Sequence, residues 1–555
     1  MTGSAAPAMN ETGAFAPLRE PTFRRIWTAS LFSNFGQLIL GVGAAWEMTR
    51  LSSSPSMVAL VQSALMLPLM LVALPAGAVA DMFDRRKIAL TGLSFSIVSS
   101  AVLTAIAFMG LTTPWLLLLF CVLIGGGVAL YNPAWQASIG EQVSPVRLPA
   151  AIALGTISYN IARSFGPAIG GLVVLALGAK AAFAINAAFY IPLWLAFFVW
   201  TRQHVPSRLP PERIDRAIMS GVRYARHSPP IRTVMFRAFV FALCSCSSAA
   251  LAPLVAKQLL HGNAGTYGIL LGATGVGAVF SAMFVGSIRQ RFSTEFVLRF
   301  CTVATAIALV IVGLSRSVPL TCAALFISGG CNIVGFSMLN VSVQLSAPRW
   351  VTARALSLYS SALTGGVAIG AWVWGEVAAS FDVTFALVAS GIVVGLTFAL
   401  GWLLPLPSPE EENAIDLIVL NNEPEVEMAL TMRSGPVVIE IEYQVHPERA
   451  RDFHGAMLKL EKVRRRIGGF DWSISRDIAD PSIWVERYHC STWGDYLRMR
   501  DRYTHADYEA QEFADTFNAA DTHRVHRRLE RPFGSVRWKV DSPDLYQGEV
   551  RYMVP

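Results

Sequence analysis

The sequence predicts an all-α membrane protein, with twelve transmembrane helices in two six-helix bundles and a C-terminal α+β ferredoxin-like cytoplasmic domain. Three observations predict this. Of 555 residues, 53% are hydrophobic and only 15% charged, against about 25% charged in soluble domains. Apolar runs of the roughly 20 residues needed to cross a bilayer recur as far as Leu406. A basic gap then splits those runs into two sets of six.

The expected spans fall at 26–48, 57–80, 87–109, 113–138, 150–176 and 181–200, then at 233–256, 264–288, 296–314, 319–343, 354–380 and 384–405. Residues 1–25 read as an N-terminal tail, because no charged, apolar and small-residue order marks a signal peptide. The intervals Arg85–Lys87, Arg147, Arg289–Arg291 and Arg349–Arg354 gather the basic residues, while the alternate loops hold at most one each. By the positive-inside rule both termini lie in the cytoplasm, which implies a multi-pass protein of a bacterial-type inner (plasma) membrane. The gap 201–232 is also basic, and its "PPERIDRAIMSGVRYARHS" reads as an amphipathic helix on the inner leaflet. The positive charge suits anionic lipid better than nucleic acid. The seven cysteines form no secreted disulfide framework and no metal-ligand spacing, so neither metal nor cofactor is expected.

The halves share a weak internal similarity. "QVSPVRLPAAIALGTISYNIARSFGPAIGG" and "QLSAPRWVTARALSLYSSALTGGVAIGAWVWG" both pass from Gln through a small polar loop and Arg into a helix dotted with small residues. Parallel six-helix repeats are one transporter plan.

Some polar residues are not required by topology. In "GAVADMFDRRK", Arg85, Arg86 and Lys87 mark the inner face, but Asp81 does not serve that rule. A carboxylate there can meet a neighbouring helix N-terminus, and the arginines can pair with an acid such as Glu141. In "RSFGPAIGG", Gly166, Gly170 and Gly171 permit close helix approach and Pro167 loosens the helix. Arg163 stands about thirteen residues into its span, roughly 20 Å along it, where a charge faces a cavity or a partner. Asn34, Gln37, Asn132 and Gln136 are further substrate or coupling candidates. So are the acids Glu47 and Glu376, either as proton carriers or as interfacial groups. With Asn160, Asn332, Asn340 and Gln344, and with Tyr131, Trp135, Tyr159, Tyr359, Trp372 and Trp374, they suit a cavity for an amphipathic, partly aromatic molecule.

"GAVADMFDRR" resembles the loop 2–3 signature G-x-L-A-D-x-x-G-R-R of the major facilitator superfamily, with Val79 for the Leu and Asp84 for the second Gly. Its "ADxxDRR" form is similar to the branch of enterobactin-exporter-like and macrolide-efflux-like proteins. The resemblance covers about residues 18–406. It implies alternating access, with Gly77, Asp81, Arg85 and Arg86 as a latch closing the cytoplasmic side. It further implies export of a small amphipathic molecule, such as a siderophore, antibiotic or other secondary metabolite, by proton antiport. The second-half counterpart "GSIRQRF" lacks an acid, so that latch is expected to be degenerate. "GPAIGG" is similar to the end of an antiporter motif, whose upstream glycines stand here as Ala153 and Ala162.

After an acidic linker at 407–434, residues 435–535 read as strand, amphipathic helix, hairpin and helix, with Ser491 or Thr492 as the last cap; 536–555 is a tail. That order is ferredoxin-like. With "WGDYLR" it resembles the dimeric α+β barrel of antibiotic-biosynthesis monooxygenases, which implies dimerisation through this domain. The alternative to a plain exporter is a bifunctional protein whose tail modifies or senses the transported compound. No cofactor-binding glycine loop supports catalysis, and the chain is expected not to be an enzyme.

Overall fold

The computed structural model describes residues 15–82, 84–201, 222–348, 351–406, 426–428, 430–519 and 524–530, and the side chains of 73–82, 145, 149, 156 and 353 lie outside that description. Its contacts fall into two units. The first comprises Met1–Ile218, Thr233–Ser342 and Leu356–Leu406, and the second Met219–Arg232, Val343–Ala355 and Pro407–Pro555.

The first unit is helical. Its N-terminal half holds α1 (Pro21–Leu51), α2 (Pro55–Met82), α3 (Arg85–Phe108), α4 (Pro114–Gln142), α5 (Leu148–Leu177) and α6 (Ala179–Val199). Its C-terminal half holds α7 (Pro229–Ser245), α8 (Ala264–Arg291), α9 (Thr294–Leu314), α10 (Val318–Leu345), α11 (Thr352–Ser380) and α12 (Val383–Leu396). The chain punctuates these helices by local chemistry. Proline occupies the first turn of α1 and α4, where its missing N–H costs nothing. The side chains of Asp84, Thr113, Asn263, Ser293 and Asp382 cap α3, α4, α8, α9 and α12. Between α5 and α6 there is only Gly178, at φ +80°, a conformation that favours glycine. Past Ser245, α7 continues through short helical pieces and a π-turn at Val255–Leu259.

Among the described residues, eleven helices are long and apolar enough to cross a membrane. The one predicted span outside that set is α1. It is an unbroken helix of 31 residues, but Asn34, Gln37, Ser30 and Ser33 dilute its apolar run.

In the second unit, β1 (Val437–Gln444), β2 (Phe470–Arg476), β3 (Ile483–Cys490) and β4 (Arg524–Leu529) form an antiparallel sheet in the order β2-β3-β1-β4. Three helices accompany it: α13 (Ala450–Ile467), α14 (Trp493–Arg500) and α15 (His505–Asp515). Thr492 caps α14, and Thr504 and Asp507 form a capping box on α15. Ile439, Ile441 and Tyr443 of β1 pack with Phe453, Met457 and Leu460 of α13 in the core. Neither α15 nor β4 was expected; "RVHRRL" has too much charge to read as a strand.

The central gap also departs from expectation. Residues 222–227 are helical, and the rest of the predicted amphipathic helix lies outside the described residues. Tyr224 and Ala225 are buried. The Arg466 guanidinium lies 6.0 Å from the Tyr224 ring, so this face meets the C-terminal domain rather than lipid. Burial pushes the Tyr224 phenol up to about 12, against the lowering effect of Arg466.

Candidate substrate path and gating residues

The two halves approach each other along seams of small residues. A Cβ on Gly268 of α8 would lie 2.8 Å from the Gly171 Cα of α5, and one on Gly275 would meet the Ser164 carbonyl. Gly166 and Gly170 serve a different neighbour. Their added Cβ atoms would lie 3.0 Å from Leu38 and 3.1 Å from Val42, both on α1. "RSFGPAIGG" therefore holds α5 against two helices at once, one from each half. Pro167 lies between the two contact faces, partly buried within the helix.

Those contacts orient the rest of α5. Ser164, Ala168 and Gly171 face α8, while Ser158, Gly166 and Gly170 face α1. Ile157, Phe165 and Leu172 share one of the two remaining sides and are exposed, as lipid-facing residues are. At 100° per residue, Tyr159, Asn160, Arg163 and Pro167 fall on the opposite side, toward the interior between the halves. Asn34 Nδ2 reaches Ser158 Oγ at 3.4 Å, and Gly166 touches Phe35 and Leu38, which flank Gln37. Arg163, Asn34 and Gln37 thus stand at neighbouring levels. Arg163 is partly exposed and makes no hydrogen bond or ion pair among the described residues.

On α4, Gln136 Nε2 donates to Asn132 Oδ1 at 3.2 Å, one turn apart. Other candidates lie elsewhere. Glu47 is buried and pairs with Arg50 at 3.1 Å, and Glu376 accepts from Ser56 Oγ at 2.6 Å. Both acids sit at the end expected to face outward. Nearby, Lys257 Nζ donates to the Thr49 carbonyl at 2.6 Å and Ser63 Oγ to the Ala368 carbonyl at 2.6 Å. These bonds join the two halves there.

Three aromatic candidates are buried among the helices. Tyr131 is buried and packs edge-on to Tyr190. The Tyr359 hydroxyl donates to the Phe336 carbonyl at 2.8 Å, and Trp374 Nε1 to the Leu243 carbonyl at 2.9 Å. Their polar tips are spent on neighbouring helices, as buried Tyr and Trp require.

At the end of the N-terminal half expected to face inward, Arg85 donates to Glu141 Oε1 at 2.9 Å and to the Ala137 carbonyl at 2.8 Å. Arg86 donates through Nε to the Phe197 carbonyl at 3.0 Å and through Nη2 to the Phe198 carbonyl. These are last-turn carbonyls of α6, which lack helical partners. Asp84 accepts from the Arg86 amide at 2.9 Å, so the departure from the superfamily pattern is a helix cap. Gly77 and Asp81 lie in the last turns of α2, and their side chains fall outside the described residues.

The C-terminal half has a clamp that its motif did not announce. Glu295, near the start of α9, takes Arg237 of α7 through both carboxylate oxygens and Arg299 at 2.8 Å. Arg237 also donates to the Leu404 carbonyl at 3.2 Å, and Glu295 accepts from the Leu406 amide at 3.3 Å. The acid sits three residues past "GSIRQRF", and its partner lies far upstream, so no local motif signals the pairing.

In the second unit Arg464 and Glu486 are buried together. Arg464 Nε and Nη2 lie 2.9 and 3.1 Å from the two Glu486 oxygens. Trp472 Nε1 donates to Glu486 Oε1 at 2.9 Å, and Arg464 donates to Gln511 Oε1 at 2.7 Å. Burial opposes the Arg464 charge, but the Glu486 carboxylate beside it raises the guanidinium above its usual range. No group of three or more His, Cys, Asp or Glu side chains among the described residues could hold a metal.

The "Transmembrane secretion effector" model of the major facilitator class matches residues 12–532. Relatives include an uncharacterized MFS-type transporter, YfiS, of Bacillus subtilis, 24% identical over 366 residues, 63% of this chain and 86% of the relative. The staphyloferrin A transporter of Staphylococcus aureus is 21% identical over 284 residues, 48% of this chain and 71% of the relative. The multidrug efflux pump Tap of Mycolicibacterium fortuitum is 23% identical over 350 residues, 60% of this chain and 83% of the relative. A bacterial homologue of the lysosomal transporter Spinster superposes with TM-score 0.56 at 15% identity, covering 71% of this chain and 98% of that one. With helices of this number and polarity, and a family model spanning nearly the whole sequence, the chain belongs to the transmembrane secretion effector family of major facilitator transporters.

Proposed function

We propose that the protein is a proton-coupled exporter of small amphipathic molecules bearing an anionic group, working by alternating access. The observation that carries this is Arg163. A cation at mid-depth on the interior side of α5, beside Asn34 and Gln37, can be satisfied by a carboxylate or similar group on the cargo. The siderophore and drug specificities of the relatives support that range.

The test is efflux from proteoliposomes under an imposed pH gradient, using a panel of carboxylate siderophores and of cationic and neutral drugs. Arg163→Gln should abolish transport of the anionic members while leaving the protein folded. Transport of the same compounds by Arg163→Gln at the wild-type rate would remove Arg163 from the substrate path. No gradient-dependent flux for any compound would remove the exporter reading. The latch belongs to the same proposal: Asp81→Asn should slow transport without unfolding, and wild-type flux would sink that role.

A second reading concerns the C-terminal domain. Its element order and β2-β3-β1-β4 sheet support a ferredoxin-like fold. The Tyr224–Arg466 contact favours sensing over catalysis, because it ties the domain to the segment that joins the two halves. The paired Arg464–Glu486 core points the same way, since its donors and acceptors are already engaged. Dimerisation through the domain stays with this reading. If the isolated domain chemically altered a transported compound, catalysis would return as its role.

A further inference from the structure

Helices α5 and α11 hold equivalent places in the two halves, and their contacts match position by position. Gly366 and Gly370 stand 200 residues after Gly166 and Gly170. The first pair packs α11 on α7 as the second packs α5 on α1. Cβ atoms added there would lie 2.5 Å from the Phe239 carbonyl and 2.3 Å from the Leu243 carbonyl. Ala168 lies against Gly272 of α8, and the Ala368 carbonyl accepts from Ser63 of α2. Ile169 and Leu172 are exposed, and so are Ile369 and Trp372. Three sides of each helix are thus fixed by equivalent residues.

The remaining side of each faces the interior between the halves, and there the chemistry differs. At 100° per residue, Ser360, Leu363 and Val367 take the places of Asn160, Arg163 and Pro167. Leu363 and Val367 are partly buried, as Arg163 is, and Val367 packs against the apolar core. From Ala355 to Gly375, α11 has no charged residue. Neither has α8 from Gly265 to Ile288, nor α10 from Val318 to Leu345. An anion held at Arg163 therefore meets no second cation on these three helices at that depth.

We infer that the cargo is an acid charged at one end only, which lies across the interior with its anionic group on α5 and its apolar body against Leu363 and Val367. The assignment rests on Arg163 as the counter-charge of the cargo. Leu363 is then a specificity-determining residue. It admits an apolar end and rejects a second charge, because a charge set against an apolar wall loses hydration without gaining a partner. Such selectivity works by exclusion as much as by attraction.

Three sulfonates, which stay ionised at every working pH, test this polarity in proteoliposomes of the full-length protein under an imposed pH gradient. They are naphthalene-2-sulfonate, 6-ethylnaphthalene-2-sulfonate and naphthalene-2,6-disulfonate. Wild type should move the first two at similar rates. The disulfonate should move at least roughly tenfold more slowly, since even a neutral polar group buried unpaired costs that much. Leu363→Arg should bring the disulfonate up to the rate of the monosulfonate. Leu363→Gln, the milder change should the charged variant not fold, should narrow the gap several-fold. Equal wild-type rates for mono- and disulfonate, exclusion of the 6-ethyl compound, or no gain of disulfonate flux in either Leu363 variant would overturn the inference. So would absence of monosulfonate flux in wild type. Arg163→Gln distinguishes the two possible failures. If it abolishes monosulfonate flux while wild type moves the disulfonate equally well, only the one-ended cargo fails. If monosulfonate flux survives it, Arg163 leaves the path and both fail.

Discussion

At the ends expected to face inward, the two halves perform the same tie with opposite charge. In the N-terminal half, arginines at the start of α3 reach an acid at the end of α4 and the last carbonyls of α6. In the C-terminal half, an acid near the start of α9 holds an arginine of α7 and an amide just beyond α12. Either way, the third helix of a half is fastened to its last. Burial separates them. Arg85 and Glu141 are 24% and 19% exposed, whereas Arg237 and Glu295 are 5% and 21% exposed. The second clamp is thus the drier one, with its guanidinium shared between Glu295 and a backbone carbonyl. What a pseudo-symmetric pair keeps is the mechanical connection, and the sign of the charge can exchange.

This comparison breaks most readily at Glu295. Glu295→Ala would leave Arg237 buried beside an unsatisfied amide, and breaking a buried pair costs about 3–5 kcal/mol. Heating the detergent-solubilised protein with a thiol dye that reports exposure of the buried cysteines should show a much lower melting temperature. If Glu295→Ala melts like wild type, the clamp is not structural. Replacing both partners sharpens the point: Arg237→Met with Glu295→Leu should recover most of the stability, since apolar substitutes for a buried pair are often neutral. That double variant should still differ from wild type in transport rate if the pair is broken during the cycle.

Arg85→Ala is the smaller perturbation, about 1 kcal/mol or less for a partly exposed pair, read in the same melt. A loss equal to that of Glu295→Ala would erase the distinction between the halves. Smallest of all, Asp84→Gly restores the superfamily residue and should cost only a few tenths of a kcal/mol, because glycine is a tolerated N-cap. Asp84→Ala should cost more. Equal melting of these two variants would show that the cap has no energetic role.

The sequence made the helices legible because burying twelve long apolar runs leaves few alternatives, and loop arginines suggested an orientation. It predicted a span at α1, which the structure shows as an unbroken helix but the most polar of them. It could not show which residues face the interior, since that depends on the glycine contacts that fix the rotation of α5. Tyr131, Tyr359 and Trp374 illustrate the limit: from composition they suit a cavity, but their hydroxyl and indole groups serve helix packing. The Glu295 clamp was missed because its members are far apart in sequence and no local motif joins them. In the C-terminal domain β1, β2, β3, α13 and α14 were readable from alternation and caps, whereas β4 is built of residues that give it no apolar pattern. Candidate latch and substrate residues could be named from motif and depth alone, but neither reveals the role each plays.

The burial of Tyr224 has a consequence for how the protein is made. The ribosome completes residues 222–227 long before it reaches Arg466 and Asp507, which form part of their setting in the finished second unit. At about 5–20 residues per second, that interval is roughly 10–50 s. During it α6 and α7 are joined by a strap still without its final anchor, and the remaining helices can insert and pair. The last-made domain fixes the strap afterwards, so a nascent chain that stops short of α15 carries an aromatic side chain with nowhere to go.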